Sequence, residues 1–367
     1  MNFKIKRIEL LNALTKVSRA VSIKSPLPVL TGIKFDLKED ELILTGSDSD
    51  ITIQTSIHDN IEIIKTGSVV LSSRYILEII KKIDSEDVHI FIVDGTLTRI
   101  EGANSRFDLN GTSYIDYPRI DLNKTGVNLQ MKSIDLKEAI EQTSFATSEK
   151  ETRPVLTGVN FKAKDHVLEC IATDSYRLAK RILNIDSDIS FNIIIPKKSL
   201  IEISRIIEKD ELIDLYVSDR KVLFVFDHVL IQTRLIDGTF PDTGRLIPDS
   251  FDYSMSIDST SLLNSIDRAS LLTNEQTNIV KLTMDQDHVI LSSFSQEIGS
   301  VEENLSRAFY KGEPLKISFS AKYLTDAIKS INGQKVRVLF TGEMRPFIIK
   351  DFEREDIIQL VLPVRTY

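Results

Sequence analysis

Apolar residues recur along this chain with two alternating periods, one typical of helices and one typical of strands. Residues 7 to 20, with the position that follows them, place apolar side chains at helical spacing, namely Ile8, Leu10, Leu11, Leu14, Val17 and Val21. Between such stretches lie alternating segments, for example residues 41–44 and 51–54, separated by Gly and Asp turns. The pattern predicts an α+β fold in which helices pack on antiparallel sheets.

The same unit is written more than once. Pro28-Val29-Leu30-Thr31-Gly32 recurs as Pro154-Val155-Leu156-Thr157-Gly158, an offset of 126 residues that also superposes Asp48 on Asp174. A fainter third copy begins where Leu263-Asn264-Ser265-Ile266 mirrors Leu11-Asn12-Ala13-Leu14. Such a long match at a fixed offset indicates an internal repeat.

A second marker is evenly spaced through all three copies. Residues 70–72, 194–196 and 318–320 end in Ser72, Pro196 and Ser320, residues suited to a helix N-terminus. Each copy therefore reads helix, strands, helix, strands, so two helices are expected to cover sheet in every domain. We predict three domains with these bounds: 1–123, 124–250 and 251–367.

Composition excludes several classes of protein. The chain has 367 residues, of which 42% are hydrophobic and 27% charged, and its apolar runs are far shorter than the roughly 18 residues of a membrane span. A single cysteine, Cys170, excludes a disulfide framework and suits a reducing compartment. We therefore expect a cytoplasmic protein.

The sequence carries no pattern that indicates catalysis. Neither common glycine-rich phosphate loop is present, and acidic pairs such as Glu302 and Glu303 are explained more simply as turn and edge-strand charges. The five histidines have no second histidine at helical or strand spacing with which to share a metal: His58, His89, His166, His228 and His288. We predict a binding protein with no catalytic residue, metal or cofactor; a hydrolase using Asp174 and Arg177 stays open as a rival.

Charge is segregated between elements. The six predicted helical windows sum to +8 whereas the whole chain carries -8, which leaves -16 on the remainder. Basic helices would contact a polyanion through its phosphates without reading sequence. The alternative is that these helices simply carry solvated lysines. The notable basic residues of this set are Lys16, Arg19, Lys24, Arg74, Lys81, Lys82, Lys197, Lys198 and Arg205.

Three further motifs carry a family resemblance. They are Ala172-Thr173-Asp174-Ser175-Tyr176-Arg177-Leu178-Ala179, then Asp237-Gly238-Thr239-Phe240-Pro241-Asp242 leading to Arg245-Leu246-Ile247-Pro248, and the tail Leu362-Pro363-Val364-Arg365-Thr366-Tyr367. With the threefold repeat, they make the chain resemble the bacterial DNA polymerase III beta subunit, the replicative sliding clamp, over its whole length. The details look most like clamps of low-GC Gram-positive bacteria.

The resemblance implies a DNA clamp fold, a head-to-tail homodimer that closes into a ring of which each chain is half. It implies double-stranded DNA inside, bound without sequence preference, and an ATP-driven clamp loader. It further implies the DNA polymerase III catalytic subunit and other proteins that carry a glutamine, leucine and phenylalanine motif. The same binding surface could instead serve a peptide-binding adaptor that never encircles DNA.

The resemblance also implies the residues of each surface. The peptide groove between domains 2 and 3 would use Leu156, Thr173, Ser175, Tyr176, Arg177, Leu178, Pro241, Arg245, Leu246, Met344, Pro346, Leu360, Val361, Leu362, Pro363, Val364 and Arg365. In that groove, arginines such as Arg177 would meet peptide carbonyls or acids. DNA would face Lys24, Arg74, Lys150, Arg153, Lys197 and Lys198. A family member touches DNA through two adjacent tyrosines, and the matching residues here are Pro154 and Val155. Lys24, Lys150 and Arg153 are therefore the better candidates for DNA contact.

The subunit contact implied by the resemblance joins an edge strand of domain 1 to one of domain 3. It places Arg106, Phe107 and Leu109 against Leu271 and Leu272. Glu302 and Glu303 would then lie near basic residues such as Arg99 and Arg74, since opposite charges across an interface select the partner edge.

Overall fold

A computed structural model describes residues 1–273 and 278–365, and its described part has the predicted α+β class. Helices begin at the expected places, directly after Ser72, Pro196 and Ser320. The hydroxyls of Ser72 and Ser320 accept no capping hydrogen bond, so helix capping is not what starts these two helices. The described helices are α1 (Arg7–Ser18), α2 (Ser73–Lys82), α3 (Ser133–Thr143), α4 (Lys197–Ile206), α5 (Ser259–Ser270) and α6 (Ala321–Ile331).

The strands are short and pair antiparallel throughout. Up to residue 184 they are β1 (Asn2–Lys6), β2 (Gly32–Leu37), β3 (Leu42–Ser47), β4 (Ile51–Ile57), β5 (Ile61–Lys65), β6 (Gly67–Ser72), β7 (Asp87–Asp94), β8 (Leu97–Gly102), β9 (Ser105–Asn110), β10 (Val127–Lys132), β11 (Gly158–Lys164), β12 (Val167–Thr173) and β13 (Arg177–Asn184). Beyond it they are β14 (Phe191–Pro196), β15 (Leu212–Val217), β16 (Lys221–Phe226), β17 (Val229–Arg234), β18 (Tyr253–Asp258), β19 (Ile279–Met284), β20 (Val289–Ser295), β21 (Gly299–Asn304), β22 (Phe309–Lys311), β23 (Leu315–Ser320), β24 (Lys335–Phe340), β25 (Phe347–Asp351) and β26 (Ile357–Val361).

The chain forms two compact units, and the middle repeat contributes to both. Unit 1 consists of Met1–Ile134 with Glu202–Leu235, and unit 2 of Asp135–Ile201 with the chain from Ile236 onward. Unit 1 holds the sheets β5-β1-β7-β8-β9 and β10-β15-β16-β17-β4-β3-β2-β6. Unit 2 holds β14-β11-β12-β13-β26-β25-β24-β18-β22 and β21-β20-β19-β23. The middle repeat is divided because its two four-stranded halves each continue a neighbouring repeat's sheet.

The core of unit 1 forms where α1 packs on β3, β4 and α2. The buried face of α1 consists of Leu10, Ala13, Leu14 and Val17. The predicted stripe was wrong at Ile8, whose side chain is exposed, because the buried face follows the 10-13-14-17 spacing. In unit 2 the same arrangement recurs, with α5 and α6 packed against each other and on their sheets.

The repeated glycine has a steric cause. Gly32 lies opposite Ser72 in the β2–β6 pairing, and a Cβ there would come within 2.6 Å of the Val70 side chain. Gly158 occupies the equivalent place in unit 2, where a Cβ would lie 2.5 Å from the carbonyl oxygen of Ile195. Both copies therefore need glycine where the paired strand lies too close for a Cβ atom.

Within the part of the chain that the structure describes, no helix is long and apolar enough to cross a membrane.

Candidate functional site

The turn between β12 and β13 is built by its own side chains. The Thr173 hydroxyl donates to the carbonyl oxygen of Arg177 at 2.6 Å. The carboxylate of Asp174 accepts the backbone N–H groups of Tyr176 and Arg177 at 2.9 and 3.0 Å. Ser175 takes a left-handed conformation with φ of 79°. Asp174 therefore serves as a turn residue, the structural role that the short side chain of Asp commonly fills.

This turn places the Arg177 side chain where each of its guanidinium nitrogens has a hydrogen-bond acceptor. The Arg177 guanidinium donates to Asp174 at 3.0 Å, to Asp326 of α6 at 2.7 Å and to the carbonyl oxygen of Phe145 at 2.8 Å. Its flat face lies 4.5 Å from the centre of the Tyr323 ring, a cation–π contact. The side chain is only 8% exposed. Arg177 therefore supports the wall of the site, and the expectation that it meets peptide carbonyls stays a prediction.

Below the turn lies an apolar floor. Leu178 of β13 stands opposite Leu360 of β26, and both side chains are buried. They belong to one buried cluster of seven residues: Leu156, Ile171, Leu178, Ile194, Phe240, Ile348 and Leu360. Leu362 lies over this cluster and is only partly buried. An apolar side chain of a bound peptide can thus pack on this floor, where Leu362 is the partly exposed residue that it meets first.

The exposed residues of the predicted groove include large apolar side chains, which we call its rim. Tyr176 is 60% exposed, Met344 52% and Leu246, in the short 3₁₀ turn Gly244–Leu246, 47%. Pro241, Arg245 and Arg365 are also exposed, whereas Val361 is buried and Pro346 and Pro363 are half-buried. Exposed apolar groups beside a buried apolar floor are typical of a surface that binds another protein.

The C-terminal tail is held against this site by its backbone. The N–H of Leu362 donates to the carbonyl oxygen of Tyr176 at 2.9 Å, and the N–H of Val364 donates to that of Ser318 at 2.7 Å. The first bond holds Leu362 beside the turn, and the second holds Val364 against β23. Sequence reasoning missed the supports of the wall, Asp326 and Tyr323, because only tertiary packing brings them to Arg177.

The first repeat has the same turn but not the same floor. The Ser47 hydroxyl donates to the carbonyl oxygen of Ile51 at 3.2 Å, Asp48 accepts the N–H of Ile51 at 3.0 Å, and Ser49 has φ of 83°. At the position of Arg177, this copy carries the neutral Ile51. These two copies thus share the backbone of the turn, and the second adds a buried cation that the first does not have.

The floor positions differ in the same way. By the repeat offset, Thr52 corresponds to Leu178. In unit 1 it stands opposite Gln232, just as Leu178 stands opposite Leu360 in unit 2. A threonine and a glutamine offer a polar surface where unit 2 offers two leucines. An apolar peptide anchor would therefore lose most of its hydrophobic driving force in unit 1.

Comparison with known proteins decides the family. Sequence models of the DNA polymerase III beta subunit match residues 1–121 as its N-terminal domain, 130–242 as its central domain and 244–365 as its C-terminal domain. The chain belongs to the DNA polymerase III beta subunit family. A beta sliding clamp of Staphylococcus aureus is 43% identical and one of Staphylococcus epidermidis 42%, each covering all of both chains.

Solved structures of the beta subunit family have the same fold. The DNA polymerase sliding clamp from Bacillus subtilis matches with a TM-score of 0.96 at 42% identity, over all of both chains. The beta subunit from Streptococcus pyogenes matches equally well at 31% identity. The expected clamp fold and function are confirmed, and this family is an accessory subunit of the polymerase rather than its catalytic one.

The predicted DNA-facing residues of this beta subunit lie at its surface, each described within its own unit. In unit 1, Lys24 and Arg74 are exposed. In unit 2, Lys150, Arg153 and Lys198 are exposed. Lys197 is half-buried and donates to Glu149 at 2.5 Å, a bond that lowers the pKa of the Glu149 carboxyl. Lys197 therefore carries a partly neutralised charge.

The predicted subunit contact falls on sheet edges. β9, which holds Arg106, Phe107 and Leu109, is the last strand of its sheet in unit 1. In unit 2, β21 is likewise an edge strand, while Leu271 is 74% exposed and Leu272 half-buried. Unpaired strand edges are ready to pair with another chain.

The charges at those edges already have partners. Arg99 donates to Asp108 at 2.7 Å, and Glu303 accepts from Arg268 at 3.0 Å. Of the charge pairs expected across the contact, Glu302 and Arg74 thus remain the better candidates. The bond from Arg268 also lowers the pKa of Glu303.

Two histidines that are distant in the sequence lie close together in unit 1. The expectation that the histidines stand apart was wrong for His58 and His228, whose ring centres lie 5.2 Å apart in unit 1. They meet because β17 pairs with β4, which sequence spacing does not reveal.

Cys170 is fully buried, and burial raises the pKa of its thiol. An uncharged buried thiol is inert as a nucleophile.

Proposed function

We propose that this chain acts as a ring-shaped homodimer around double-stranded DNA that tethers replication and repair proteins through the unit 2 site. The observation that carries the proposal is the Leu178–Leu360 floor beneath exposed apolar rim residues. We propose domains 1–123, 124–250 and 251–367, and the three family matches at 1–121, 130–242 and 244–365 support these bounds.

The ring holds DNA by topology, so its phosphate contacts can stay weak enough for sliding. Exposed lysines and arginines such as Lys24, Arg74, Lys150, Arg153 and Lys198 support a contact that ignores sequence and weakens with salt. Lys197 contributes less because Glu149 pairs with it. The chain works in the cytoplasm, where the chromosome lies, and an ATP-driven loader opens the ring.

The groove binds short segments with leucine and phenylalanine side chains after a glutamine, including one on the DNA polymerase III catalytic subunit. An apolar anchor enters over Leu178 and Leu360, and Leu362 is the partly exposed residue that it meets first. Exposed Arg245 and Arg365 stand at the rim, where they are free to meet acidic or carbonyl groups of the peptide. Arg177 holds the wall from behind.

Retention on DNA tests encirclement. The protein is loaded by its loader onto a nicked circular DNA, and half of the sample is then linearised with a nuclease. We expect retention on the circle and loss from the linear form, since a ring slides off a free end. Equal loss from both forms would mean that the protein is an adaptor which binds peptides without enclosing DNA.

Paired leucine variants test the groove. Leu178→Ala together with Leu362→Ala should weaken the binding of a fluorescent peptide that contains leucine and phenylalanine by about 2 kcal/mol or more. The control is Leu212→Ala, because Leu212 is an exposed leucine of unit 1. Circular dichroism checks that the double variant stays folded, and Leu362→Ala alone provides a milder version. Unchanged affinity in both groove variants would refute the groove.

The hydrolase alternative finds little support. Asp174 is occupied by the turn and by the Arg177 guanidinium, and Arg177 has partners on all three guanidinium nitrogens. A catalytic pair needs groups that can reach a substrate. These two side chains hold each other and the wall instead.

A further inference from the structure

Two histidines meet at a sheet junction of unit 1. His58 directly follows β4, and His228 lies in the tight turn between β16 and β17. Pairing continues past the strand end, since the N–H of Ser56 donates to the carbonyl oxygen of His228 at 3.2 Å. The imidazole centres are 5.2 Å apart, with the rings inclined at 54°. Backbone pairing therefore fixes both side chains at one place.

This spacing suits two ligands of one metal ion. Zinc binds imidazole nitrogen at about 2.0–2.1 Å with tetrahedral angles, which puts the centres of two bound rings roughly 5 Å apart. The observed 5.2 Å matches that value. Both side chains are accessible, with 41% of His58 and 58% of His228 exposed, so an ion can reach them from solvent.

Each ring also has an oxygen near its Nε2. His58 Nε2 lies 3.1 Å from the Ser56 hydroxyl and 3.8 Å from a Glu41 carboxylate oxygen. His228 Nε2 lies 3.5 Å from Asp227. Metal-bound imidazoles commonly donate their other N–H to an oxygen, a role that the Ser56 hydroxyl can fill for His58 and that leaves its Nδ1 for an ion.

The cleft beside the pair is acidic. It has a volume of about 150 Å³, and its charged lining residues include Glu9, Asp59 and Asp227 against Lys16. Two imidazole rings among these carboxylates favour a divalent cation of borderline softness over a hard ion such as Mg²⁺. Water would complete the coordination shell.

We propose that His58 and His228 form a binding site for one divalent transition-metal ion of the zinc class. A bound ion would fasten the turn between β16 and β17 to the end of β4. The site is independent of the groove, since none of its residues belongs to unit 2.

One other group competes for the same ions. Asp285, Asp287 and His288 form the one set of three possible ligands found within 4.8 Å of one another in the described residues. Asp285, however, already accepts the backbone N–H groups of Asp287 and His288 at 2.9 and 2.8 Å. This group of three supplies one imidazole rather than two, so we place the ion at His58 and His228.

Calorimetric titration of the full chain with ZnCl₂, after treatment with a chelator, tests the site. We expect one saturable ion per chain, and about a tenfold or greater loss of affinity in His58→Gln and in His228→Gln. The double variant should bind zinc no more tightly than either single variant, because it has lost both rings. His166→Gln, His288→Gln and a titration with MgCl₂ are the controls.

Thermal melting gives a second readout. Zinc should raise the melting temperature of the natural chain but not of the two variants, since an ion that binds only the folded state stabilises it. The proposal is overturned if zinc does not bind, if His58→Gln and His228→Gln bind it normally, or if His288→Gln is the variant that loses it.

Discussion

Arg177→Ala is the substitution that most sharply tests the construction of the groove wall. The guanidinium is 8% exposed and makes hydrogen bonds of 2.7 to 3.0 Å to Asp174, Asp326 and the Phe145 carbonyl oxygen. Removing it leaves two carboxylates and a carbonyl without their shared cation. Breaking a buried pair by deleting one partner costs about 3–5 kcal/mol.

A matched control lies on the same carboxylate. Lys322 also donates to Asp326, at 3.2 Å, but its side chain is 64% exposed. Because solvent screens an exposed pair, Lys322→Ala should cost only about 0–1 kcal/mol. The two variants therefore compare a buried and an exposed cation that share one partner.

Urea unfolding followed by circular dichroism measures the difference. With a slope of about 3 kcal/mol per molar urea, the unfolding midpoint of Arg177→Ala should fall by about 1 M or more. That of Lys322→Ala should barely move. Peptide affinity should fall in Arg177→Ala as well, because the turn and Leu362 lose their backing. Equal midpoints for the two variants would show that the Arg177 network does not support the wall.

Three further outcomes follow from other contacts. The bond from Arg268 holds the pKa of the Glu303 carboxyl below its usual 4.5. Glu303 therefore stabilises the fold above that pH, and this contribution is lost as the pH falls through the pKa of the folded state. In Glu303→Gln, the free energy of unfolding should depend less steeply on pH below about pH 5. Cys170 should react with a thiol reagent only in denaturant, and fast labelling of the native protein would contradict its burial. Leu271→Ala with Leu272→Ala should give monomers at micromolar concentration, and an unchanged light-scattering mass would speak against the proposed dimer contact.

Local sequence patterns were enough to predict the elements and the repeat. Helices α2, α4 and α6 begin directly after Ser72, Pro196 and Ser320, as the spacing predicted. The two matching turns at Ser47–Ile51 and Thr173–Arg177 show why Asp48 and Asp174 recur. Such features depend on neighbouring residues, so a linear pattern can reveal them.

Periodicity and turn chemistry act over a few residues, so they revealed the repeated unit and its strands. The leucines of the floor were indicated only by the family resemblance. Tertiary packing is what brings Asp326 to Arg177 and His58 to His228. It also divided the middle repeat between two units. These outcomes depend on which distant strands and helices pair, and no local period specifies the partner of an edge.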